Sequence, residues 1–305
     1  MKQFKSGFVS LIGRPNVGKS SLMNLLVGEK IAIVSNRPQT TRNKIRSILT
    51  GEDFQIIFID TPGLHNPKNK LGDYMVKSAK NALGGVDVVL YLVEPAAKIM
   101  PGDEAILSML PPPDALKENA KVMLVINKVD TVKKPEILLC IEAYAEKYPF
   151  CEIIPISALT GDNTDALINT VVQYLQPGVK YFPDDMITDQ PERQIVAEMI
   201  REKVLIFLQE EIPHGTAVEI TSMKKRKNSD LLDVDATIFC ERDTHKAIII
   251  GKSGAMLKKI GVLARKDIEA LLASPINLQL WVKVRKRWRD NDFALRDLGY
   301  DARKI

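Results

Sequence analysis

Gly13-Arg14-Pro15-Asn16-Val17-Gly18-Lys19-Ser20 is the stretch from which the chain is best read. It fits G-x-x-x-x-G-K-[ST], follows an apolar run at residues 8–12, and opens a helical pattern that continues Ser21-Leu22-Met23. Glycines in such a loop let backbone N–H groups curl round phosphate oxygens, and the helix N-terminus adds its dipole. Lys19 is then placed to bridge β and γ phosphates, and Ser20 to ligate Mg²⁺. Outward from this loop, short runs rich in Val and Ile recur at residues 55–59, 86–93, 121–126 and 152–156. Most are followed by a helical pattern, and residues 46–51 read as an added edge strand. The alternation predicts an α/β domain over residues 1–176, a mostly parallel sheet with helices on both faces.

Further motifs stand at strand C-terminal ends, where sheets of this kind bind ligands. Asp60-Thr61-Pro62-Gly63 offers a carboxylate that can hold Mg²⁺ through water, and an N–H at Gly63 for a γ-phosphate. Asn127-Lys128-Val129-Asp130 ends a buried run. A carboxylate at Asp130 accepts two hydrogen bonds from guanine N1–H and N2–H₂, a pattern adenine lacks. Ser157-Ala158-Leu159 can present the Ala158 N–H to guanine O6. Each short motif is weak alone; in this order, each after its strand, they resemble the translation-factor-class GTPases over residues 7–176.

That resemblance implies hydrolysis of GTP to GDP and phosphate with Mg²⁺. It also implies a switch segment, Pro38-Gln39-Thr40-Thr41-Arg42, in which Thr41, or alternatively Thr40, closes over Mg²⁺ and the γ-phosphate. After Gly63 comes Leu64, where Ras-like GTPases place a water-orienting Gln. Leucine cannot orient water, so slow hydrolysis or another device is expected. Family members with a hydrophobic residue at this point often carry an early Asn in the phosphate loop, here Asn16, which helps seat K⁺. Such an ion can stand where an arginine finger would place charge.

Residues 177–190 break the pattern with prolines, a glycine and acids, and read as a linker. Beyond it, residues 191–305 follow another order: a helix at 191–211, strands at 217–221 and 233–240, helices at 244–250 and 255–272, a strand at 276–284 and a last helix at 290–298. Between the middle helices stands Ile250-Gly251-Lys252-Ser253-Gly254, with Lys258 and Lys259 following. G-x-x-G by itself is a common turn. With the order α-β-β-α-α-β, an apolar helix ending at the first Gly, and flanking cations, it resembles the type II KH domain, an α+β module. The glycines would let nucleic-acid backbone approach while an aliphatic groove takes about four unpaired bases. Arg285-Lys286-Arg287-Trp288-Arg289 is read as a second RNA contact, with Trp281 expected in the core at strand spacing. Met223–Lys227 is read as a basic hairpin that touches RNA phosphates or acidic lipid, or is a plain solvated turn.

A GTPase domain followed by one KH domain is the arrangement of bacterial ribosome-assembly GTPases. Resemblance to them implies a grip on the 3′ end of 16S rRNA during 30S subunit maturation, and peripheral contact with the inner face of the membrane. A monomer is expected. The rival readings are an RNA scaffold switched by nucleotide with incidental turnover, which Leu64 keeps open, and a tRNA-modification GTPase, whose family carries an enzymatic partner domain instead of KH. Composition is neutral between these. The net charge is +5 over 305 residues, and the basic charge is local. Three scattered cysteines, Cys140, Cys151 and Cys240, argue against a disulfide framework or zinc cluster and suit a reducing cytosol. Neither a cleavable leader nor an apolar run of spanning length is read from the sequence.

Overall fold

The computed structural model describes residues 3–63, 67–110, 112 and 121–303. The first domain runs β1 (Lys5–Gly13), α1 (Lys19–Val27), β2 (Ile45–Thr50), β3 (Phe54–Asp60), α2 (Lys70–Asn81), β4 (Val88–Val93), α3 (Pro101–Leu107), β5 (Lys121–Ile126), α4 (Lys134–Ala145), β6 (Glu152–Pro155) and α5 (Thr164–Tyr174). The sheet order is β2-β3-β1-β4-β5-β6. Only β2 is antiparallel to its neighbour; the other pairs are parallel. Every residue of β4 is buried, because helices cover both faces and leave no polar side to alternate with. The chain leaves β1 to one side for β3 and to the other for β4, so the loop after β1 sits where the strand order reverses.

Local chemistry sets the helix ends around that loop. Gly28 stops α1 in the left-handed region at φ 79°, its N–H returning to Asn24 and Leu25 carbonyls. Asn69 caps α2 by accepting the Gly72 N–H at 2.9 Å.

The second domain runs α6 (Glu192–Phe207), β7 (Ala217–Lys225), β8 (Leu232–Cys240), α7 (Asp243–Ile250), α8 (Ala255–Leu272), β9 (Ile276–Val284) and α9 (Asp292–Asp297). β8 pairs antiparallel with β7 and parallel with β9. Ile195, Val196, Met199, Ile200 and Val204 of α6 bury against Ile238, Ile260, Ala264 and Ile268. Each Val, Ile or Met side chain among them contributes roughly 1.5–3 kcal/mol.

Some boundaries differ from the sequence reading. α6 stops at Phe207 instead of reaching 211, because Leu208 turns extended at φ −102° and ψ 158°. β7 continues past a bulge between Ile220 and Ser222 to Lys225, so Met223 and Lys224 are strand residues. Residues 177–190 lie along the first domain. Ser47 bridges Thr188, Ile48 donates to the Ile187 carbonyl at 2.8 Å, and Gln55 takes the N–H groups of Tyr181 and Phe182. The domains also share a core, in which Leu71, Tyr74 and Met75 of α2 pack with Ala217, Trp288, Leu295 and Tyr300. Among the described residues no helix is long and apolar enough to cross a membrane.

A nucleotide site and a candidate RNA groove

Tight backbone approach builds the phosphate loop. Gly13 has φ 150°, and a Cβ there would lie 2.4 Å from the Leu92 carbonyl oxygen. Gly63 packs so close that a Cβ would lie 2.7 Å from the Pro15 nitrogen, bringing the Asp60–Gly63 loop onto the phosphate loop. Gly18 precedes α1 without a side-chain cap, and no acid stands in the helix's first turn. Its N-terminal N–H groups therefore suit an anion. Lys19 is buried and folds back to donate to the carbonyls of Gly13 at 3.1 Å and Arg14 at 3.0 Å. Burial pushes its ammonium down to about 8, against the opposing pull of Asp60.

Asp60 ends β3 and is fully buried. Its Oδ2 accepts from Ser20 Oγ at 2.6 Å and Thr41 Oγ1 at 3.2 Å, and those two hydroxyls lie 2.9 Å apart. Its Oδ1 is buried with no hydrogen-bond partner. Burial raises the Asp60 carboxyl, against Lys19 and the two hydroxyls. A buried carboxylate with an orphaned oxygen beside two hydroxyls is a hard-oxygen donor set that fits Mg²⁺. Thr40, the alternative to Thr41, turns away and donates to the Arg37 carbonyl at 2.6 Å. Gln39 turns the segment at φ 60° after Pro38. Asn16, at φ 68°, donates to the Asn36 carbonyl at 2.8 Å and so joins the phosphate loop to the stretch just before the switch segment. Leu64 lies outside the described residues.

Asn127 fastens the base side. Its Nδ2 donates to the Val17 carbonyl and its Oδ1 accepts the Ala158 N–H, both at 2.8 Å. The N–H expected to face guanine O6 is thus taken by Asn127, since a buried N–H needs an acceptor. Asp130 Oδ1 accepts from Ser157 Oγ at 2.6 Å, which fixes one edge of the carboxylate. Val129 starts a short 3₁₀ turn after Lys128, and Leu159 stands 83% exposed. Lys128 Nζ donates to the Asn16 carbonyl at 2.8 Å and pairs with Glu94.

Sequence reasoning missed Glu94 and Asp103. Asp103 is fully buried, accepts from Arg14 Nε at 2.7 Å and from the Tyr91 hydroxyl at 3.1 Å, and so anchors the phosphate loop from α3. Neither acid stands in a recognisable motif; only Gly102 signals the contact, since a Cβ there would lie 2.6 Å from Arg14 Cδ.

In the second domain, Gly251 (φ 72°), Ser253 (φ 51°) and Gly254 (φ 79°) form a left-handed turn between Ile250 and α8. Lys252 and Ser253 are exposed. Beside the turn, Leu257, Lys258 and Val262 of α8 face Leu278 and Leu280 of β9 across a groove. Lys259 is exposed too, and its ammonium sits 4.2 Å from the Phe207 ring centroid in a cation–π contact.

The segment after β9 requires correction. Trp288, read as an RNA contact, is fully buried, donates from Nε1 to the Gly215 carbonyl at 2.9 Å and stacks on Tyr300. Trp281, read as core, is 45% exposed, because the β9 alternation turns Val282 inward and Trp281 outward. Arg285 and Arg289 pair with Asp297 and Glu241, leaving Lys286 and Arg287 as the exposed cations of that run. Arg42 of the switch segment is also buried. It donates to the Thr216 carbonyl at 2.7 Å and the His214 carbonyl at 3.0 Å, with its guanidinium 5.8 Å from the Trp288 ring.

Comparison with known proteins agrees with this division. Residues 8–128 match the family model described as a 50S ribosome-binding GTPase, and residues 211–289 match a KH domain. GTPase Era of Clostridioides difficile is 56% identical over 299 residues, covering 98% of this chain and 99% of that protein. GTPase Era of Clostridium acetobutylicum is 53% identical, covering 99% of both. Among solved structures, a variant of Aquifex aeolicus Era bound to GDP·AlF₄⁻ superposes with TM-score 0.91 at 40% identity, covering 98% of this chain and 100% of that one. Era in complex with MgGDPNP and nucleotides 1506–1542 of 16S ribosomal RNA also gives 0.91 at 40% identity, covering 98% of this chain and 99% of that one. With both domains matched end to end, the chain belongs to the Era family of GTPases.

Proposed function

We propose that this protein binds and hydrolyses GTP with Mg²⁺, grips the 3′ end of 16S rRNA through its KH domain, and assists 30S subunit maturation. The observation that carries the reading is one chain holding both a Ser20–Thr41–Asp60 oxygen cluster and an open G-x-x-G turn beside an aliphatic groove. Lys19 and the α1 N-terminus bind phosphate oxygens, and Asp130 orients guanine. Ser20, Thr41 and Asp60 would hold Mg²⁺, which when bound supplies positive charge beside the β and γ phosphates. K⁺ would be held at Asn16, in place of the charge a glutamine-dependent mechanism recruits elsewhere. Hydrolysis should therefore run faster in K⁺ than in Na⁺ at equal ionic strength, and Asn16→Ala should erase the difference while GTP still binds.

One titration tests the coupling of the two sites. An RNA fragment from the 16S 3′ end is added to protein loaded with a non-hydrolysable GTP analogue or with GDP. Tighter binding by the GTP form is expected, and linkage then requires RNA to strengthen GTP binding by the same factor, typically about 5- to 150-fold. Equal dissociation constants at matched salt would mean two independent modules on one chain, with no nucleotide switch. The protein works in the cytosol as a monomer, which suits its three free cysteines. Contact with acidic membrane would use Lys224 and Lys227, since Lys225 and Arg226 are paired with Asp230 and Asp233; sedimentation with anionic vesicles tests it.

A further inference from the structure

The switch segment has a wall supplied by the second domain. Arg201 of α6 has a fully buried side chain; its guanidinium donates to the Thr40 carbonyl and pairs with Glu198. Fixing that carbonyl fixes the peptide plane that leads into Thr41. On the other side, Arg42 is anchored to the Thr216 and His214 carbonyls of the same domain. Glu202, adjacent to Arg201, has a side chain only 3% exposed. Its Oε1 accepts the Val34 N–H at 2.9 Å, and its Oε2 takes Lys30 Nζ at 2.6 Å.

These ties continue towards the RNA turn. Lys203 Nζ lies 2.7 Å from Glu202 and also pairs with Asp267, which takes Lys30 at 2.8 Å. Asp267 lies on α8, the helix that Gly254 immediately precedes. Burial opposes ionisation of Asp267, but hydrogen bonds from Lys203 and Lys30 outweigh it and hold the carboxyl below its ordinary value. Val34, Thr40 and Thr41 line the nucleotide cleft, whereas Arg201 and Glu202 reach it only through them.

We propose that Arg201 and Glu202 are positioning residues for GTP hydrolysis, carried by the RNA-binding domain, that hold Thr41 over the metal site. The proposal rests on the GTPase reading above. An α6 contact of this kind would let RNA seated at α8 bias the switch through a chain of ion pairs and hydrogen bonds.

The test uses the full chain as wild type, Arg201→Met, Arg201→Lys and Glu202→Gln. Hydrolysis is measured across a Mg²⁺ series, with GDP affinity as a separate readout that does not depend on a γ-phosphate. Arg201→Met should lower kcat by about ten- to a hundredfold and raise the Mg²⁺ needed for half-maximal rate, with GDP affinity unchanged. Arg201→Lys, still able to donate to the Thr40 carbonyl, should recover part of the loss. Glu202→Gln keeps the volume and an acceptor for Val34 but weakens the hold on Lys30, so a smaller loss in the same direction is expected. Wild-type kcat and Mg²⁺ demand in folded Arg201→Met would overturn the proposal. So would a parallel loss of GDP affinity, which marks general damage to the fold. Should Arg201→Met not fold, the near-isosteric Glu202→Gln decides, and wild-type behaviour there overturns the proposal. Wild-type protein that hydrolyses no GTP would instead sink the GTPase reading itself.

Discussion

At Gly18 an added Cβ would lie 2.2 Å from Asn127 Nδ2, whereas at Gly254 it would meet nothing within 4 Å. Both glycines precede a helix at a loop suited to phosphate, and both have positive φ. Around Gly18 the loop is enclosed: Lys19 is buried, Asn127 ties Val17 to Ala158, and Asp103 holds Arg14. Preorganised donors in a poorly hydrated site discriminate sharply among ligands. Around Gly254 the turn is open, and its lysines stay in water. Such a surface accepts a backbone of any sequence, and its strength depends on salt. Enclosure suits a single small ligand, and openness suits a chain that must lie across the turn.

The largest effect expected from this contrast is at the base. Asp130→Asn removes the carboxylate proposed to read guanine N1–H and N2–H₂, and GTP binding should weaken by about 2–4 kcal/mol, with xanthosine nucleotides now preferred. Calorimetric titration checks this, and unchanged GTP affinity would refute it. The open turn should respond differently. Lys252→Asp with Ser253→Asp should weaken RNA binding by on the order of tenfold or more at low salt, with the loss shrinking as salt rises. GDP affinity should stay as in wild type, because the sites lie in separate domains. A double variant that binds 16S fragments normally would reduce G-x-x-G to a plain turn.

Enclosure also predicts a pH dependence. Burial depresses Lys19 to about 8 in the free protein, and phosphate oxygens favour its charged form. The complex therefore binds a proton more tightly than the free protein. Lys19 alone predicts nucleotide affinity level between about pH 7 and 8, above the terminal phosphate's own titration, and falling beyond it by up to about tenfold per pH unit, until the ammonium of the complex itself titrates. Proton uptake near pH 8–9, read by calorimetry in buffers of different ionisation enthalpy, checks the sign; a level profile over that range would contradict it.

The smallest effect separates the two glycines of the KH turn. Gly254→Ala meets only the cost of a positive φ, about 1 kcal/mol. Gly251→Ala adds a Cβ 2.8 Å from Met256 Cβ and 3.0 Å from its backbone nitrogen, so urea unfolding should show a larger loss there, about 2 kcal/mol. Gly254→Ala should nevertheless disturb RNA binding beyond its effect on stability, because its Cβ enters the space a backbone needs. Equal small losses in stability and RNA affinity at both positions would erase the distinction.

Much of the nucleotide site was legible because its groups stand in short motifs at strand ends. Gly13–Ser20, Asp60–Gly63, Asn127–Asp130 and Ser157–Leu159 follow β1, β3, β5 and β6, and a parallel sheet brings such ends to one edge. Glu94 and Asp103 escaped notice because their role depends on long-range contacts with Lys128 and Arg14. The same holds for Arg201 and Glu202, which look like an ordinary charged stretch of an amphipathic helix until the first domain packs against them.

The sequence by itself determined the order of elements and the places of the candidate nucleotide-binding motifs at strand ends, consequences of local periodicity and spacing. Tertiary packing alone decided between near neighbours. Thr41 meets Asp60 while Thr40 turns to Arg37. Trp288 is sealed against Tyr300 while Trp281 faces solvent. Arg42 points into the second domain, while Lys286 and Arg287 stay free of the salt bridges that take Arg285 and Arg289. Alternation along a strand or loop says which residues share a face; what that face meets depends on segments far away in the chain, where sequence spacing carries no information.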